Sequence, residues 1–326
     1  MTERGTVPRT ILVTGGCGYL GSQLIRDLAE DSRFDATVRI LDNMQDGNHA
    51  ALMDLPDRGR FEFVEGDILD RATVRMALAG VDAIVHLAAV VRTPMSFDKP
   101  TWVQQVNHWG TLSLVEAALD KGIQRFIFGS SSAVYGPGGP FVETDPCRPQ
   151  GAYGQSKLQA ETGLLAASQR GLKPTILRLG ILYGAAPVIR FDAVANRFAY
   201  LAGTCRKLTI YGEGKQRRSL LHVGDASSAV QFSLANPDRT VGEVFNVVST
   251  SATILEMAEA VLCDEPEATV HFTEQDIRTH LNLEMAGSGL ETLGWQPSHT
   301  LRSGMSELIK AFRGVQRQDL LVGSTE

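Results

Sequence analysis

A tyrosine and a lysine one helical turn apart are the residues of this sequence best suited to proton transfer. They are Tyr153 and Lys157, in the segment YGQSK. A spacing of four residues places both side chains on one face of a helix. An ammonium group near a phenol favours the phenolate and lowers the tyrosine pKa from about 10 towards neutral pH, which allows general acid and base catalysis. A solvated helix face would explain the pair alone equally well.

Three consecutive serines strengthen the catalytic interpretation. Ser130, Ser131 and Ser132 follow residues 125–129, an apolar run that predicts a buried strand. In open parallel sheets, ligands bind at the carboxyl ends of the strands. A serine hydroxyl at this point is therefore placed to hydrogen-bond a reacting oxygen. The residue types do not decide which of the three serines has this role.

A glycine-rich turn predicts a dinucleotide site. In TGGCGYLG, residues 14–21, the glycines Gly16, Gly18 and Gly21 have the GxGxxG spacing. A predicted strand precedes the turn and a predicted helix follows it, which is the required context. Glycines there allow a tight turn and let a pyrophosphate approach the free N–H groups of the helix. The alternative is a turn of the same composition that binds no ligand.

Residues after the next strands favour NAD over NADP. Asp42 follows the last glycine of the turn by about twenty residues, where a carboxylate accepts hydrogen bonds from the adenosine ribose. A 2′-phosphate would face this negative charge, and no arginine follows at once to neutralise it. Asp67 ends the third strand, within reach of an adenine. Leu87, Ala88 and Ala89 follow the fourth, and the small alanines leave room for a dinucleotide.

The elements that must position these residues alternate along the first 180 residues, which is typical of a parallel sheet covered by helices. The predicted strands are 10–14, 37–42, 61–65, 83–87, 125–129 and 175–178, and the predicted helices include 20–30, 102–121 and 153–170. A strand at 243–248 and a helix at 254–262 indicate a return to the sheet. We predict an α/β fold, a Rossmann doubly wound parallel sheet with a smaller, inserted α+β substrate domain.

The regular alternation of predicted strands and helices ends near residue 181, and this change sets the expected domain bounds. We assign residues 10–180 to the Rossmann domain, with returning segments at about 219–262. Residues 181–218 and 263–315 form the expected substrate-binding domain. The ends, 1–9 and 316–326, lack apolar periodicity, and we expect them to be flexible.

Composition excludes several classes of function. The formal net charge is −6 and no run of lysine or arginine occurs, so no nucleic-acid partner is expected. No apolar stretch reaches 18 residues and the N-terminus lacks the order of a secretion signal, so we expect a cytoplasmic protein without a membrane partner. The four cysteines are scattered without metal-ligand spacing, and no metal is expected.

Together, the motifs resemble those of the extended short-chain dehydrogenase/reductase family, in particular its nucleotide-sugar epimerases and dehydratases of the UDP-glucose 4-epimerase type. The resemblance covers about residues 10–312 and includes TGGCGYLG, LDN, EGDI, HLAA, SSSAVYG and YGQSK followed by Glu161. It implies that Ser131, four residues before the tyrosine of VYG, is the catalytic serine. The cofactor contacts that it implies are Gly15, Gly18, Tyr19, Leu20, Asp42, Asn43, Asp67, Ile68, Ala88, Asn107, Tyr153 and Lys157.

Departures from the family pattern bear on the reaction and on the substrate. Dehydratases and decarboxylating relatives carry acids where this chain has Ser132 and Ala133, which disfavours elimination. Two familiar phosphate contacts are replaced by Ile181 and Thr273. The substrate residues that the resemblance implies are Ser131, Asn196 and Arg218, with Arg278 close enough in sequence to substitute for the lost arginine. Arg190 and Arg278 are equally well explained as surface arginines.

The resemblance implies a nucleotide-sugar 4-epimerase that works by transient oxidation to a bound 4-keto sugar. The same residues would serve a net NAD-dependent reductase or dehydrogenase of a keto-deoxysugar nucleotide or another cyclic alcohol. A non-catalytic NAD-responsive binding protein would not need Ser131, Tyr153 and Lys157 together. A homodimer is also implied, through the helices near 102–121 and 153–170, whose Leu114, Leu164 and Leu165 exceed one core-facing stripe.

Overall fold

The apolar segments of the sequence form strands at nearly the predicted positions. The computed structural model describes residues 8–91, 98–204, 206–274, 282–287 and 289–312. The strands in these residues are β1 (Thr10–Thr14), β2 (Thr37–Asp42), β3 (Arg60–Glu65), β4 (Ala83–His86), β5 (Arg125–Ser131), β6 (Gly138–Phe141), β7 (Lys173–Leu179), β8 (Ile181–Tyr183), β9 (Leu208–Tyr211), β10 (Arg217–His222), β11 (Val244–Val247), β12 (Thr250–Thr253), β13 (Val270–Thr273) and β14 (Leu283–Met285).

The helices alternate with these strands, and short turns of other helix types interrupt them. The α-helices of the described residues are α1 (Tyr19–Glu30), α2 (Arg71–Ala77), α3 (Pro100–Gln104), α4 (Thr111–Asp120), α5 (Gly151–Ala167), α6 (Val194–Gly203), α7 (Val223–Ala235), α8 (Pro237–Thr240), α9 (Ile254–Leu262), α10 (Gly289–Thr292) and α11 (Leu301–Phe312). Turns of 3-10 helix occupy His49–Leu52, Ser132–Val134 and Ser168–Arg170. The predicted helix at 102–121 is divided by a π-helical turn, Gln105–Gly110.

A seven-stranded parallel sheet confirms the predicted fold class. Its strand order is β11-β7-β5-β4-β1-β2-β3, and each neighbouring pair is parallel. The chain order reverses between β1 and β4, and the crevice at such a reversal is where doubly wound sheets bind ligands. The fold therefore places the residues that follow β1, β2, β3, β4 and β5 along one edge.

Helices cover both faces of this sheet because its strands are apolar on both sides. On one face α1 packs against α7, and the buried core there includes Leu24, Val230 and Trp295. The core of the other face includes Val74, Leu114 and Leu164, from α2, α4 and α5. The predicted helices at 20–30 and 153–170 therefore bury the expected stripes.

A second, smaller unit of mixed strands and helices is built mostly from residues after β7, and β6 joins it from before β7. Its main sheet has the order β12-β10-β14-β6, with β8 paired to β10, and β9 pairs with β13 separately. The core of this unit lies between α6, α9 and α11 and includes Phe198, Met257 and Leu308.

The domain bounds differ from the prediction in two places. The helix α9 and the strand β10 belong to the second unit and not to the Rossmann domain, because Ile254, Met257 and Val261 pack into the second core. Conversely, Leu290 and Trp295 lie in the Rossmann core, although they fall within the predicted substrate segment 263–315. An amphipathic pattern shows that a helix has a buried face but does not show which core receives it.

The expected flexible ends lie almost wholly outside the described residues. Two residues of the N-terminal segment are described, and both are held in place. Pro8 is buried, and the backbone N–H of Arg9 donates to Asp82 Oδ2 at 2.8 Å. The carbonyl of Arg9 also accepts from Thr37 N at 2.7 Å, so the first sheet contacts begin before β1.

Candidate active site

The glycine-rich turn packs so closely that side chains at two of its positions would collide with backbone. Gly15 has a φ of +70°, and a Cβ there would lie 2.6 Å from the backbone nitrogen of Ala88. A Cβ on Gly21 would lie 2.2 Å from the carbonyl oxygen of Gly15. The helix α1 therefore begins directly against the turn. Its N-cap is Gly18, with no side-chain cap and no acidic residue in the first turn, so the site fits the phosphates of a dinucleotide.

Asp42 joins the end of β2 to this turn. Its Oδ2 accepts the backbone N–H of Cys17 at 2.9 Å, and its Oδ1 accepts that of Met44 at 2.9 Å. Burial raises the pKa of the carboxyl group, and these two hydrogen bonds oppose the shift. Each carboxylate oxygen has further acceptor capacity. The geometry thus leaves Asp42 able to bind ribose hydroxyls while it also shapes the turn.

The neighbouring strand ends meet as the sequence predicts. Asn43 Nδ2 donates to Asp67 Oδ2 at 2.9 Å, which links the ends of β2 and β3. Ile68, next to Asp67, is buried. Across the turn, Leu87 N donates to Thr14 O at 3.0 Å, and Leu87 and the two alanines after it are partly exposed. Within the described residues, these predicted cofactor contacts line one edge of the sheet.

The side chains of Asn107 and Tyr19 form hydrogen bonds with other groups of the protein. Asn107 is buried in the π-helical turn; its Oδ1 accepts from Val90 N at 2.8 Å and its Nδ2 donates to Ser156 Oγ at 3.2 Å. It thereby fixes the segment after β4 against α5. The Tyr19 hydroxyl donates to Gly184 O at 2.5 Å. Leu20 is also buried. That these three residues contact the cofactor stays a prediction.

Local contacts distinguish the three serines. Ser131 is the last residue of β5, is partly exposed, and its hydroxyl acts on the phenol of Tyr153, whose pKa it lowers. Its Oγ also accepts from Ala133 N at 3.2 Å. By contrast, the hydroxyl of Ser130 is engaged by Glu161, and Ser132 is buried with 4% of its surface exposed. The geometry favours Ser131, as the family resemblance implies.

The electrostatics of Tyr153 differ from the expectation. Desolvation of the phenol raises its pKa, and the hydrogen bond from Ser131 and the charge of Arg190 oppose this shift. Lys157 is turned elsewhere: its Nζ donates to Gly129 O at 2.7 Å and lies 4.6 Å from the centre of the Phe128 ring. Lys157 is not among the groups that shift the pKa of Tyr153 here, and its lowering of that pKa stays a prediction.

Lys157 is nevertheless placed as a buried cation beside the predicted catalytic pair. Only 3% of its surface is exposed. Burial lowers the pKa of its ammonium group to about 7, and the charge of Glu161 opposes the shift. Its charge state therefore changes near neutral pH, within the working range of most enzymes.

The structure describes two of the three further substrate residues that the resemblance implies, Asn196 and Arg218. Asn196 is buried: its Oδ1 accepts from Gly184 N at 3.1 Å, and its Nδ2 donates to Tyr19 OH at 3.0 Å and to Arg190 O at 2.9 Å. Arg218, on β10, is partly exposed, and burial lowers the pKa of its guanidinium group. Arg278 lies outside the described residues. Binding of a substrate by these three residues stays a prediction.

Arg190 lies closer to the catalytic tyrosine than its position in the sequence indicates. Its guanidinium group pairs with both carboxylate oxygens of Asp192, at 3.0 and 2.7 Å, and its charge acts on Tyr153. Arg190 and Tyr153 are 37 positions apart in the sequence. No local pattern indicates their proximity, because it depends on how the segment after β8 returns over the crevice.

A Rossmann domain with a glycine-rich turn and a Ser/Tyr/Lys group at one crevice defines a class of nicotinamide-dependent enzymes. The profile of the NAD dependent epimerase/dehydratase family matches residues 11–247. The chain belongs to this family and is NAD-dependent.

Individual relatives agree with this assignment over nearly the whole chain. The low-salt glycan biosynthesis protein Agl12 of Haloferax volcanii is 31% identical over 93% of this chain and 98% of its own length. A dTDP-glucose 4,6-dehydratase of Streptomyces niveus is 30% identical over 93% of this chain and 92% of its own. The structure of Thermus thermophilus UDP-glucose 4-epimerase in complex with NAD has a TM-score of 0.81 and 28% identity, covering 94% of this chain and 99% of that one.

The relatives differ in their named reactions. They include epimerases, dehydratases and decarboxylases. The chain is therefore an enzyme of this family, and the particular reaction must be inferred from the residues of its site. Among the described residues, no helix is both long and apolar enough to cross a membrane.

The position of Asp42 generates a test of cofactor preference. We expect NAD(H) to bind more tightly than NADP(H), because a 2′-phosphate would meet the carboxylate. In Asp42→Ala, NADH affinity should fall by roughly tenfold or more, since a hydrogen bond to a charged group contributes about 1.5–3 kcal/mol. NADPH affinity should fall less. Fluorescence titration with both cofactors measures this, with Asp42→Asn as the control that keeps an acceptor oxygen. Equal or tighter binding of NADPH by the unaltered protein would contradict the assignment.

Proposed function

We propose that this protein is an NAD-dependent nucleotide-sugar 4-epimerase. The observation that carries the proposal is the complete Ser131, Tyr153 and Lys157 group beside a serine and an alanine at the positions where dehydrating relatives carry acids. The substrate is a sugar nucleotide whose 4-hydroxyl is inverted.

Tyr153 and Ser131 perform the proton transfer in this mechanism. The hydroxyl of Ser131 lies close enough to the tyrosine hydroxyl to lower its pKa, so a substrate oxygen that contacts both is held where a proton can move. Tyr153 as phenolate accepts the proton of the 4-hydroxyl, and Ser131 stabilises the carbonyl oxygen that forms. After the keto sugar has turned its other face, Tyr153 returns the proton to the same oxygen. A bound NAD would supply the hydride chemistry at carbon 4, with no net change of the cofactor over a turnover.

Lys157 supplies positive charge in a water-poor environment. Its ammonium group is buried against the Phe128 ring and the Gly129 carbonyl, where its charge favours negative charge at the crevice. We assign it also to binding of the nicotinamide ribose. The residues proposed to hold the rest of the cofactor are Gly15, Gly18, Tyr19, Leu20, Asp42, Asn43, Asp67, Ile68, Leu87, Ala88, Ala89 and Asn107.

Elimination of water requires an additional acid or base, and the local packing supports its absence. Ser132 is buried, and Gly154 lies against the carbonyl of Ala133, where a Cβ would be only 2.5 Å from the oxygen. Residues 132 and 133 thus pack directly against the first turn of α5. A hydroxyl and a methyl group at these two positions cannot replace a carboxylate in proton transfer at carbons 5 and 6.

We also propose a homodimer in which α4 and α5 pack against their symmetry mates. The apolar positions that support it differ from those expected. Leu114 and Leu164 are fully buried in the protomer, because both belong to the core under the sheet. Trp109, in the π-helical turn, is 62% exposed, and Leu165 is 39% exposed. These two side chains are the candidates for contact.

A cytoplasmic location likewise stays a prediction.

Replacing the proposed acid–base group should stop turnover without preventing cofactor binding. In Tyr153→Phe, kcat should fall by at least about 100-fold, which is the usual contribution of a positioned acid–base group. NADH binding should change little, because the phenol is assigned to proton transfer. Steady-state rates and NADH titration give both quantities. Near wild-type activity would remove Tyr153 from this role.

The fate of the hydride separates an epimerase from a net reductase or dehydrogenase. With UDP-glucose or another sugar nucleotide deuterated at carbon 4, the epimer should retain its deuterium, and the absorbance of NADH should show no net change during turnover. A reductase or dehydrogenase would consume or form one NADH per turnover. Mass spectrometry of the product with parallel absorbance records decides between them, and a stoichiometric NADH change would overturn the epimerase proposal.

The proposed dimer predicts a change of mass on a single substitution. Light scattering at micromolar concentration should give the mass of two chains, and Trp109→Glu should give that of one, because a buried charge without a partner is costly at an interface. Met76→Glu is a matched control, since Met76 is as exposed as Trp109 but lies on α2. A monomer for the unaltered protein would refute the dimer.

A further inference from the structure

A buried carboxylate lies behind the proposed catalytic group and takes no part in the mechanism above. Glu161 is on α5, one helical turn after Lys157, and 2% of its side chain is exposed. It accepts a hydrogen bond from the hydroxyl of Ser130. It also pairs with Arg178, whose NH2 group lies 2.8 Å from Oε2 and whose Nε lies 3.2 Å from each carboxylate oxygen.

These contacts join three elements of the active site. Ser130 precedes Ser131 on β5, and Arg178 lies on β7 beside Ser130 in the strand register. Glu161 belongs to the helix that carries Tyr153. Because successive residues of a strand point to opposite sides, the bond to Ser130 leaves Ser131 directed away from Glu161. The carboxylate thus sets the position of β5 relative to α5, on which the contact between Ser131 and Tyr153 depends.

The same carboxylate compensates charge in a buried cluster. Lys157 faces the Gly129 carbonyl and the Phe128 ring on β5, and His86 lies close to it on β4. His86 bonds Thr14 at 2.6 Å and Thr111 at 2.8 Å, and burial and then the charge of Lys157 lower its pKa to about 3, so it is neutral. Arg178 lies on the far side of Glu161. Of these groups, Glu161 is the one that brings negative charge to Lys157.

We propose that Glu161 is a positioning residue for the catalytic group: its carboxylate holds β5, α5 and β7 together behind Ser131 and Tyr153 and keeps Lys157 in its charged form. This inference rests on the proposed function, because it gives Lys157 a charged role in the reaction. Without the carboxylate, the ammonium group loses its proton at lower pH, and activity that needs the cation is lost over the same range.

The charge of Lys157 can be followed directly, without substrate or cofactor. In protein labelled with ¹³C-lysine, the Cε signal of Lys157 is identified by its absence from Lys157→Met, and its titration midpoint is measured by NMR. The midpoint should lie near 7 in the unaltered protein. In Glu161→Gln it should fall by about 1–3 pH units, the usual effect of an opposite charge at short range.

Matched variants separate charge from packing. Glu161→Asp keeps the charge and should leave the midpoint near its original value. Ser130→Ala removes the hydroxyl bond without a change of charge and should also leave it nearly unchanged. Glu62→Gln removes an exposed carboxylate, paired with Arg39 on β2, and serves as a distant control. An equal midpoint in Glu161→Gln and in the unaltered protein would overturn the proposal.

A folding defect would not prevent the test. Loss of Glu161 alone leaves the Arg178 guanidinium buried without its partner, which is destabilising. The double variant Glu161→Gln with Arg178→Gln removes both charges of the pair, and its Lys157 midpoint should also fall, because the charge of Glu161 is the one that raises the pKa of Lys157. An unchanged midpoint there would overturn the inference as well.

Activity measurements distinguish this inference from the proposed function. If Lys157→Met retains full turnover of the sugar nucleotide, Lys157 has no catalytic role and the proposed mechanism fails. If Lys157→Met is inactive and the alkaline limit of activity is the same in Glu161→Gln as in the unaltered protein, the mechanism stands and the role of Glu161 fails. We expect the alkaline limit of Glu161→Gln to move to lower pH together with the NMR midpoint.

Discussion

The ammonium group of Lys157 is buried, and the residues around it at the centre of the structure must compensate its charge. A cation removed from water is costly unless hydrogen bonds and opposite charge compensate it. Here the carbonyl of Gly129 on β5, an aromatic ring and the carboxylate of Glu161 provide that compensation. A desolvated cation–π contact contributes about 2 kcal/mol. The neutral His86 completes the surroundings, since a second cation there would repel the first.

A second set of buried hydrogen bonds connects the cofactor turn with the smaller unit. Tyr19, at the start of α1, bonds Gly184 and Asn196, and Asn196 in turn holds the carbonyl of Arg190. The guanidinium group of Arg190 acts on Tyr153. The turn proposed for the pyrophosphate and the segment that carries charge to the catalytic tyrosine therefore share one network. Two side chains, Tyr19 and Asn196, thus link the start of α1 to the backbone of Arg190.

The sequence predicted those features that depend on local pattern. Continuous apolar runs indicated the strands of the parallel sheet, and the GxGxxG spacing with Asp42 indicated the edge at which ligands bind. Residue types alone could not choose among the three serines, because the choice depends on Glu161, on α5, accepting the hydrogen bond of the Ser130 hydroxyl. The sequence also assigned α9 to the wrong core and counted Leu114 and Leu164 as available for a partner. Each of these errors concerns the distant part of the protein against which a residue packs. The periodicity of apolar residues along the sequence carries no information about that partner.

Relatives with this architecture bear names of different reactions, so the fold alone does not determine the reaction type. All of the reactions in question can begin with removal of hydride and a proton at one carbinol, so the shared residues predict only that step. The fate of the keto sugar then depends on whether another group can take or give a proton at the neighbouring carbons. In this chain the residues after Ser131 are small and pack under α5, and the buried carboxylate of that helix, Glu161, is engaged by Arg178. A carboxylate committed to a buried ion pair is a poor proton donor, which agrees with the proposed epimerase reaction, in which the first step is simply reversed.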